Sequence, residues 1–157
     1  KFIPAKKGKT HVLHIIRELL SFEPTSTGTD VAQALQYFTN AQKRHCTAFL
    51  ISDFIGAGTM YKPLLIASNR HEVNAIQIYD RREAELPNIG LVKFHDAETG
   101  SDLWIDTAIA SVRNQYGQAW RDNQNDIEQL FTRTGVNHVS VRTDQDYVKA
   151  LMHLFKC

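Results

Sequence analysis

Two hydrophobic patterns alternate along the chain: stretches with a helical period and short, continuous apolar runs. Val12, Ile15, Ile16, Leu19 and Leu20 recur at helical spacing, which predicts an amphipathic helix over residues 10–21. Phe22 to Gly28 reads as a loop of small and polar residues. From Thr29 the helical period resumes through Val31, Ala32, Leu35 and Phe38 and runs to about residue 42. The run "CTAFLIS", residues 46–52, is bounded by polar residues and has the pattern of a strand buried on both faces in a parallel sheet. A helix is expected over residues 59–69, and "EVNAIQIYD" supplies a second buried strand, near residues 73–79.

The charged, Pro- and Gly-containing stretch "RREAELPNIG" predicts a loop. "LVKFHD" and "DLWID" flank "AETGS", which predicts a two-stranded hairpin over about 91–106. Residues 107–133 then form a long helix with Ile109, Val112, Tyr116, Trp120, Ile127, Leu130 and Phe131 as its apolar stripe, stopped by Gly135. A third strand near 136–142 and a helix from Asp144 through Leu154, with Thr143 or Asp144 as N-cap, complete the pattern. This order predicts a three-layer α/β sandwich with a mainly parallel sheet and a small β-hairpin, in one domain spanning residues 1–157. An antiparallel pairing of the first two strands would contradict it. Three core strands are few for such a domain, and together with the opening "KFIP", which reads like the end of a strand, they suggest part of a longer polypeptide. Any membrane attachment would then belong to its other parts.

Composition adds little that is specific. The 157 residues are 43% hydrophobic and 22% charged, ordinary for a globular domain. A net charge of +1, from 18 basic and 17 acidic residues, gives no global field to draw in nucleic acid or an anionic membrane. "KKGK" at residues 6–9 is the one local basic cluster and reads as a solvated segment. Two cysteines, Cys46 in an apolar run and Cys157, form neither a disulfide framework nor a CxxC pair, so a reducing, cytoplasmic setting is expected. No run approaches the length of a membrane span.

The chemistry-bearing residues are few. In an open α/β sheet, ligands bind beyond the carboxyl ends of the strands. Asp53 follows the first strand directly, and Thr29 opens a helix whose N-terminus can point to the same edge. A hydroxyl and a carboxylate are hard oxygen donors suited to Mg²⁺. Both residues also have a simpler reading, as a helix cap and a turn cap. Gly56 and Gly58 resemble a dinucleotide turn without its third glycine. His11 and His14 lack the Glu of an HExxH pair, and Cys46 reads as packing. "YDRRE" at 79–83 is either a partner contact or a solvated strand exit. No Ser-His-Asp or Cys-His order stands out, so catalysis is not indicated.

"GTDVAQAL" followed by "FLISDF" resembles the second and third motifs of von Willebrand factor type A domains. Together with "FIPAKKGKTHVLHIIRELLSFEP", "YDRREAELPNIGLVKFHDAETG" and "RTDQDYVKALMHLF", these segments resemble the bacterial domain-of-unknown-function family 58, linked to MoxR-type AAA+ ATPases. The resemblance implies a type A-like fold and a non-enzymatic interaction module acting with such an ATPase in assembling or maturing other complexes. It also implies that Thr29 and Asp53 match two motifs of a metal-ion-dependent adhesion site. The first motif, Asp-x-Ser-x-Ser, occurs nowhere in residues 1–157. Mg²⁺ is therefore expected in a longer protein and not in this stretch alone. A metal-dependent hydrolase using Asp53 is the alternative. Without the strand that carries the first motif, residues 46–52 would form an apolar sheet edge free of Lys and Pro, through which two copies are expected to pair.

Overall fold

The computed structural model describes residues 2–23, 29–95 and 100–155. The element order is α1 (Lys9–Ser21), α2 (Val31–Ala41), β1 (Thr47–Ser52), α3 (Tyr61–Arg70), β2 (Glu72–Tyr79), α4 (Arg81–Ala84), β3 (Leu91–His95), β4 (Asp102–Asp106), α5 (Ala110–Thr134), β5 (Asn137–Arg142) and α6 (Tyr147–Leu154). A 3-10 turn, Ala57–Met60, leads into α3. β1, β2 and β5 form a parallel sheet in the order β1-β2-β5, with Leu50 opposite Ala75 and Ala75 opposite His138. β3 and β4 form the separate antiparallel hairpin. The fold is thus mixed α/β, with the parallel pairing that the two continuous apolar runs predict.

Alternation along the strands sorts the two faces. Val73, Ala75 and Leu50 point to one face and join Leu35 of α2, Leu64 and Ala67 of α3, and Ile127, Leu130 and Phe131 of α5 in the main core. The register puts Phe49 and Ile76 on the opposite face. There α6 packs against β5, and Phe155, just past its end, meets Phe49 edge-on at 5.7 Å between ring centroids. Helices therefore cover both faces, unequally. β1 is an edge strand of this sheet, and Phe49 and Ile51 remain 45% and 59% exposed.

Several predicted boundaries move for identifiable reasons. α2 starts at Val31, not Thr29, because Asp30 takes the N-cap position and its carboxylate accepts the Gln33 N–H at 2.8 Å. The expected loop after β2 contains the short helix α4, held by a capping box in which Asp80 and Glu83 satisfy each other's backbone N–H groups. α6 begins at Tyr147 with Asp146 as its cap, while Thr143 and Asp144 are engaged elsewhere. α5 ends as predicted: Gly135 adopts φ 66° and its N–H reaches back to the last turn. Of the predicted stripe on α5, Ile127, Leu130 and Phe131 are buried, whereas Val112, Tyr116 and Trp120 are half-buried and Ile109 is exposed. α1 is helical as its period predicts, yet it buries no residue: Val12, Ile16, Leu19 and Leu20 are all exposed. Most of the predicted loop before α2 and most of the hairpin turn lie outside the described residues, as does Cys157.

The hairpin is tied at its base. The Thr107 hydroxyl donates to the Gly90 carbonyl at 2.7 Å and accepts the Ile89 N–H at 2.9 Å, and Thr107 is fully buried. Arg113 donates to the Thr107 carbonyl, so the start of α5 clamps the same point.

Candidate functional site

The carboxyl ends of β1, β2 and β5 share one edge of the sheet, and each is followed closely by an acidic or hydroxyl residue: Asp53, Asp80, and Thr143 with Asp144. Parallel strands bring these termini together because their connections return over the faces through α3 and α5. α2 runs against the direction of β1. Its late residue Phe38 packs on His71, at the start of β2, with 4.8 Å between ring centroids. The first turn of α2 is therefore directed to the carboxyl edge, and Thr29, exposed, lies just ahead of the N-cap there. α2 also packs against the 3-10 turn that follows Asp53.

Asp53 is exposed, and its turn has an unusual backbone. Phe54 adopts φ 57°, the left-handed region that a bulky residue enters only when its surroundings require it. The requirement is visible. The Phe54 ring is fully buried and meets Phe131 edge-to-face, 5.0 Å between centroids. Turning the ring inward at that point leaves the preceding carboxylate outside. Asp53 Oδ1 accepts the Ile55 N–H at 3.2 Å, and the Ser52 hydroxyl lies 3.3 Å from it. The Ser52 hydroxyl oxygen accepts the Phe54 N–H at 3.1 Å.

Beneath this turn lies Gln77, a polar side chain in the middle of β2 and only 1% exposed. Its amide nitrogen donates to the Asp53 carbonyl at 3.4 Å, and its amide oxygen accepts the Ser140 hydroxyl at 2.8 Å. One side chain thus links the ends of all three parallel strands. The one polar residue inside the run "AIQI" is the sequence signal for it, since a buried amide must find partners. The left-handed Phe54 has no such signal in "SDFIGAG".

Asp80 is bound differently. Its Oδ1 accepts the Arg82 N–H and its Oδ2 accepts the Thr143 hydroxyl, each at 2.8 Å. The Asp80 N–H in turn donates to Glu83 at 2.8 Å. The Arg82 backbone bond first, then the Thr143 bond, hold the Asp80 carboxyl below its ordinary value of 3.8. Beside it Arg142 pairs with Asp144, which raises the Arg142 value. "YDRRE" is therefore a built structural corner, and among the described residues no three His, Cys, Asp or Glu side chains converge as metal ligands.

The remaining candidates disperse. Gly56, at φ 74°, caps the 3-10 turn and α3 starts five residues later, unlike a dinucleotide fingerprint. His11 and His14 lie on α1, their ring centroids 6.3 Å apart. Cys46 does not sit inside β1 but just before it, half-buried, with its Sγ 3.7 Å from His71 Nδ1. Among the described residues no helix is long and apolar enough to cross a membrane.

A mixed α/β protein with a three-stranded parallel sheet, an appended hairpin and an exposed aspartate at the carboxyl edge is the class these features define. The chain belongs to the family described as protein of unknown function DUF58, whose model matches residues 1–126. The match stops within α5, so β5 and α6, which complete the sheet and cover its second face, lie beyond it. An uncharacterized protein of Mycobacterium avium is 30% identical over 156 residues, covering 98% of this chain and 92% of that protein. Uncharacterized proteins of Mycobacterium bovis and Mycobacterium tuberculosis are each 31% identical over 150 residues, covering 93% of this chain and 46% of the relative. The chain spans about half the length of those two relatives. No solved structure matches it.

Proposed function

We propose that the chain is a non-enzymatic interaction module of the von Willebrand factor type A-like kind, acting with a MoxR-type AAA+ ATPase in the assembly or maturation of other protein complexes. The observation that carries this reading is the Asp53 turn. A carboxylate stands exposed at the carboxyl edge of a parallel sheet, on a backbone held in a strained conformation by a buried phenylalanine. Strain that the surroundings enforce at an exposed corner is characteristic of a recognition site. The first turn of α2, with Thr29 ahead of it, is directed to the same edge.

The donor chemistry fits a divalent cation. Asp53 and Thr29 offer a carboxylate and a hydroxyl, the hard oxygen donors that Mg²⁺ takes while keeping several waters. In a longer protein, ligands from outside residues 1–157 would join these two residues in holding the ion. Bound there, Mg²⁺ supplies a Lewis-acidic contact for a carboxylate of the partner. The residues of this chain contribute position: Ile55 N–H and Ser52 orient the Asp53 carboxylate, and Gln77 fixes the carbonyl beneath it.

Calorimetric titration of Mg²⁺ into a polypeptide extended upstream to include an Asp-x-Ser-x-Ser segment tests the reading. Binding that disappears with Asp53→Ala is the expected result. Binding that survives the substitution would remove Asp53 from the site. Metal-dependent turnover in a panel of phosphoesters and peptides would replace the module by a hydrolase.

A further inference from the structure

Helix α1 keeps its apolar face outside the fold. It buries no residue, and only His11, Ile15 and Glu18 are half-buried, a single line spaced four and three residues apart. Beside that line Val12, Leu13, Ile16, Leu19 and Leu20 form an aliphatic arc open to solvent, with Leu19 74% and Leu20 85% exposed. Phe22, just past the helix end, is exposed as well. Large apolar side chains gathered in this way on one surface mark an interaction site. Charge gathers at the same place. Residues 1–21 hold five of the 18 basic residues and one of the 17 acidic, a net charge of +4, which leaves −3 on the remaining 136 residues. The even balance of the whole chain hides this asymmetry. Lys6, Lys7 and Lys9, all exposed, lead into α1, and Arg17 is exposed on its flank. Glu18, the one acidic residue of the helix, lies on the half-buried line, 3.9 Å from His14.

We propose that α1 is an interfacial helix, which lays its Val/Leu/Ile arc into the surface of an anionic lipid bilayer and sets Lys6, Lys7, Lys9 and Arg17 against the headgroup phosphates. The chemistry of the patch selects this occupant. The centres of protein interfaces are depleted in lysine and anchored by aromatic residues and arginine, whereas this arc is aliphatic and its approach is rich in lysine. An aliphatic helix face bordered by basic residues is what the boundary between acyl chains and anionic headgroups takes. Lysine stems lie along apolar surface while their ammonium groups reach outward, so Lys9 can sit beside Leu13 at the start of the arc without interrupting it. Thirteen helical residues span about 20 Å, less than a hydrocarbon core of about 30 Å, so the helix lies in the interface and does not cross it. The sequence pattern assigns any membrane attachment to other parts of a longer polypeptide; this contact is made by residues 6–22 themselves, and it does not involve Asp53.

Co-sedimentation of the full chain with vesicles tests this, with EDTA present throughout so that metal binding at Asp53 plays no part. Vesicles of phosphatidylglycerol and phosphatidylcholine in equal parts are compared with vesicles of phosphatidylcholine alone. The chain is expected to bind the mixed vesicles at least about tenfold more strongly. Leu19→Ser with Leu20→Ser removes the two most exposed leucines of the arc and should weaken binding to the mixed vesicles at least about tenfold while the circular dichroism spectrum stays unchanged. The triple substitution Lys6→Gln, Lys7→Gln, Lys9→Gln should weaken it by at least the same factor, and it decides alone should the leucine pair fail to fold. Equal binding to the two vesicle types, or binding to the mixed vesicles that neither set of substitutions reduces, would overturn the proposal. Sedimentation velocity without vesicles that finds the parent a dimer and the leucine pair a monomer would assign the arc to a second copy of the chain, and would overturn it equally.

Discussion

Asp53 and Asp80 each stand one residue past the end of a parallel strand, β1 and β2, on the same edge of one sheet. Asp80 spends its carboxylate on the fold: one oxygen caps α4 and the other takes the Thr143 hydroxyl, which joins the exits of β2 and β5. Asp53 uses one oxygen on the turn that follows it. The inward packing of Phe54 then keeps that turn in a left-handed corner with the carboxylate outside. Identical residue type and identical position along a strand thus yield a structural anchor in one case and an outward-facing group in the other. The difference comes from the neighbour that follows: Arg82 and Glu83 build a cap after Asp80, whereas after Asp53 a buried ring takes the inward direction.

Substitutions that separate the two corners should differ in size. Phe54→Ala removes the fully buried ring and its contact with Phe131 and should cost about 3–5 kcal/mol, measured by urea unfolding. A cost under about 1 kcal/mol would mean that the ring does not hold the turn. Gln77→Leu leaves the Asp53 carbonyl and the Ser140 hydroxyl without their partner and should cost roughly 1–3 kcal/mol. Its distinguishing sign is a shift of the Asp53 and Ile55 amide resonances, which a purely local packing defect in β2 would not produce.

Asp80→Ala should destabilise the protein and remove part of its acid sensitivity. The Asp80 carboxyl sits below 3.8 in the folded state, so its contribution is fully present above that value and is lost as pH falls through the lower folded value. Unfolding curves for the variant and the parent should therefore converge below about pH 4. A gap that persists unchanged into that range would show that the linkage is absent. The smallest stability effect is expected for Asp53→Ala, within about 1 kcal/mol, because only the exposed turn bonds are lost.

The order of elements was legible because burial on two faces leaves continuous apolar runs, and helices packed on one side keep a 3.6-residue period. α4 was missed although "DRRE" carries the Asp-x-x-Glu capping pattern, since four helical residues are too few to show a period. The pattern places the start of α6 three residues early because Asp144 and Asp146 are equally good caps. What decides is Arg142, which claims Asp144 across the strand exit. For α1 the period predicts the helix and leaves its burial open: amphipathicity states that a helix has an apolar face, and only the fold states whether anything covers it. At the site, Asp53 could be read from its place after a strand, while Gln77 needed the register and Phe54 the backbone angle. The pairing of Cys46 with His71 depends on strand alignment, which no local pattern encodes.

The central claim is that Asp53, and not its counterpart Asp80, is the contact residue of this edge. Pull-down of a MoxR-type AAA+ ATPase in Mg²⁺-containing buffer by the polypeptide extended upstream to include an Asp-x-Ser-x-Ser segment, with the parent, Asp53→Ala and Asp80→Ala compared at equal folded concentration, measures it directly. The account predicts capture by the parent and by Asp80→Ala, and its loss with Asp53→Ala. Capture that survives Asp53→Ala, or fails only with Asp80→Ala, would contradict it.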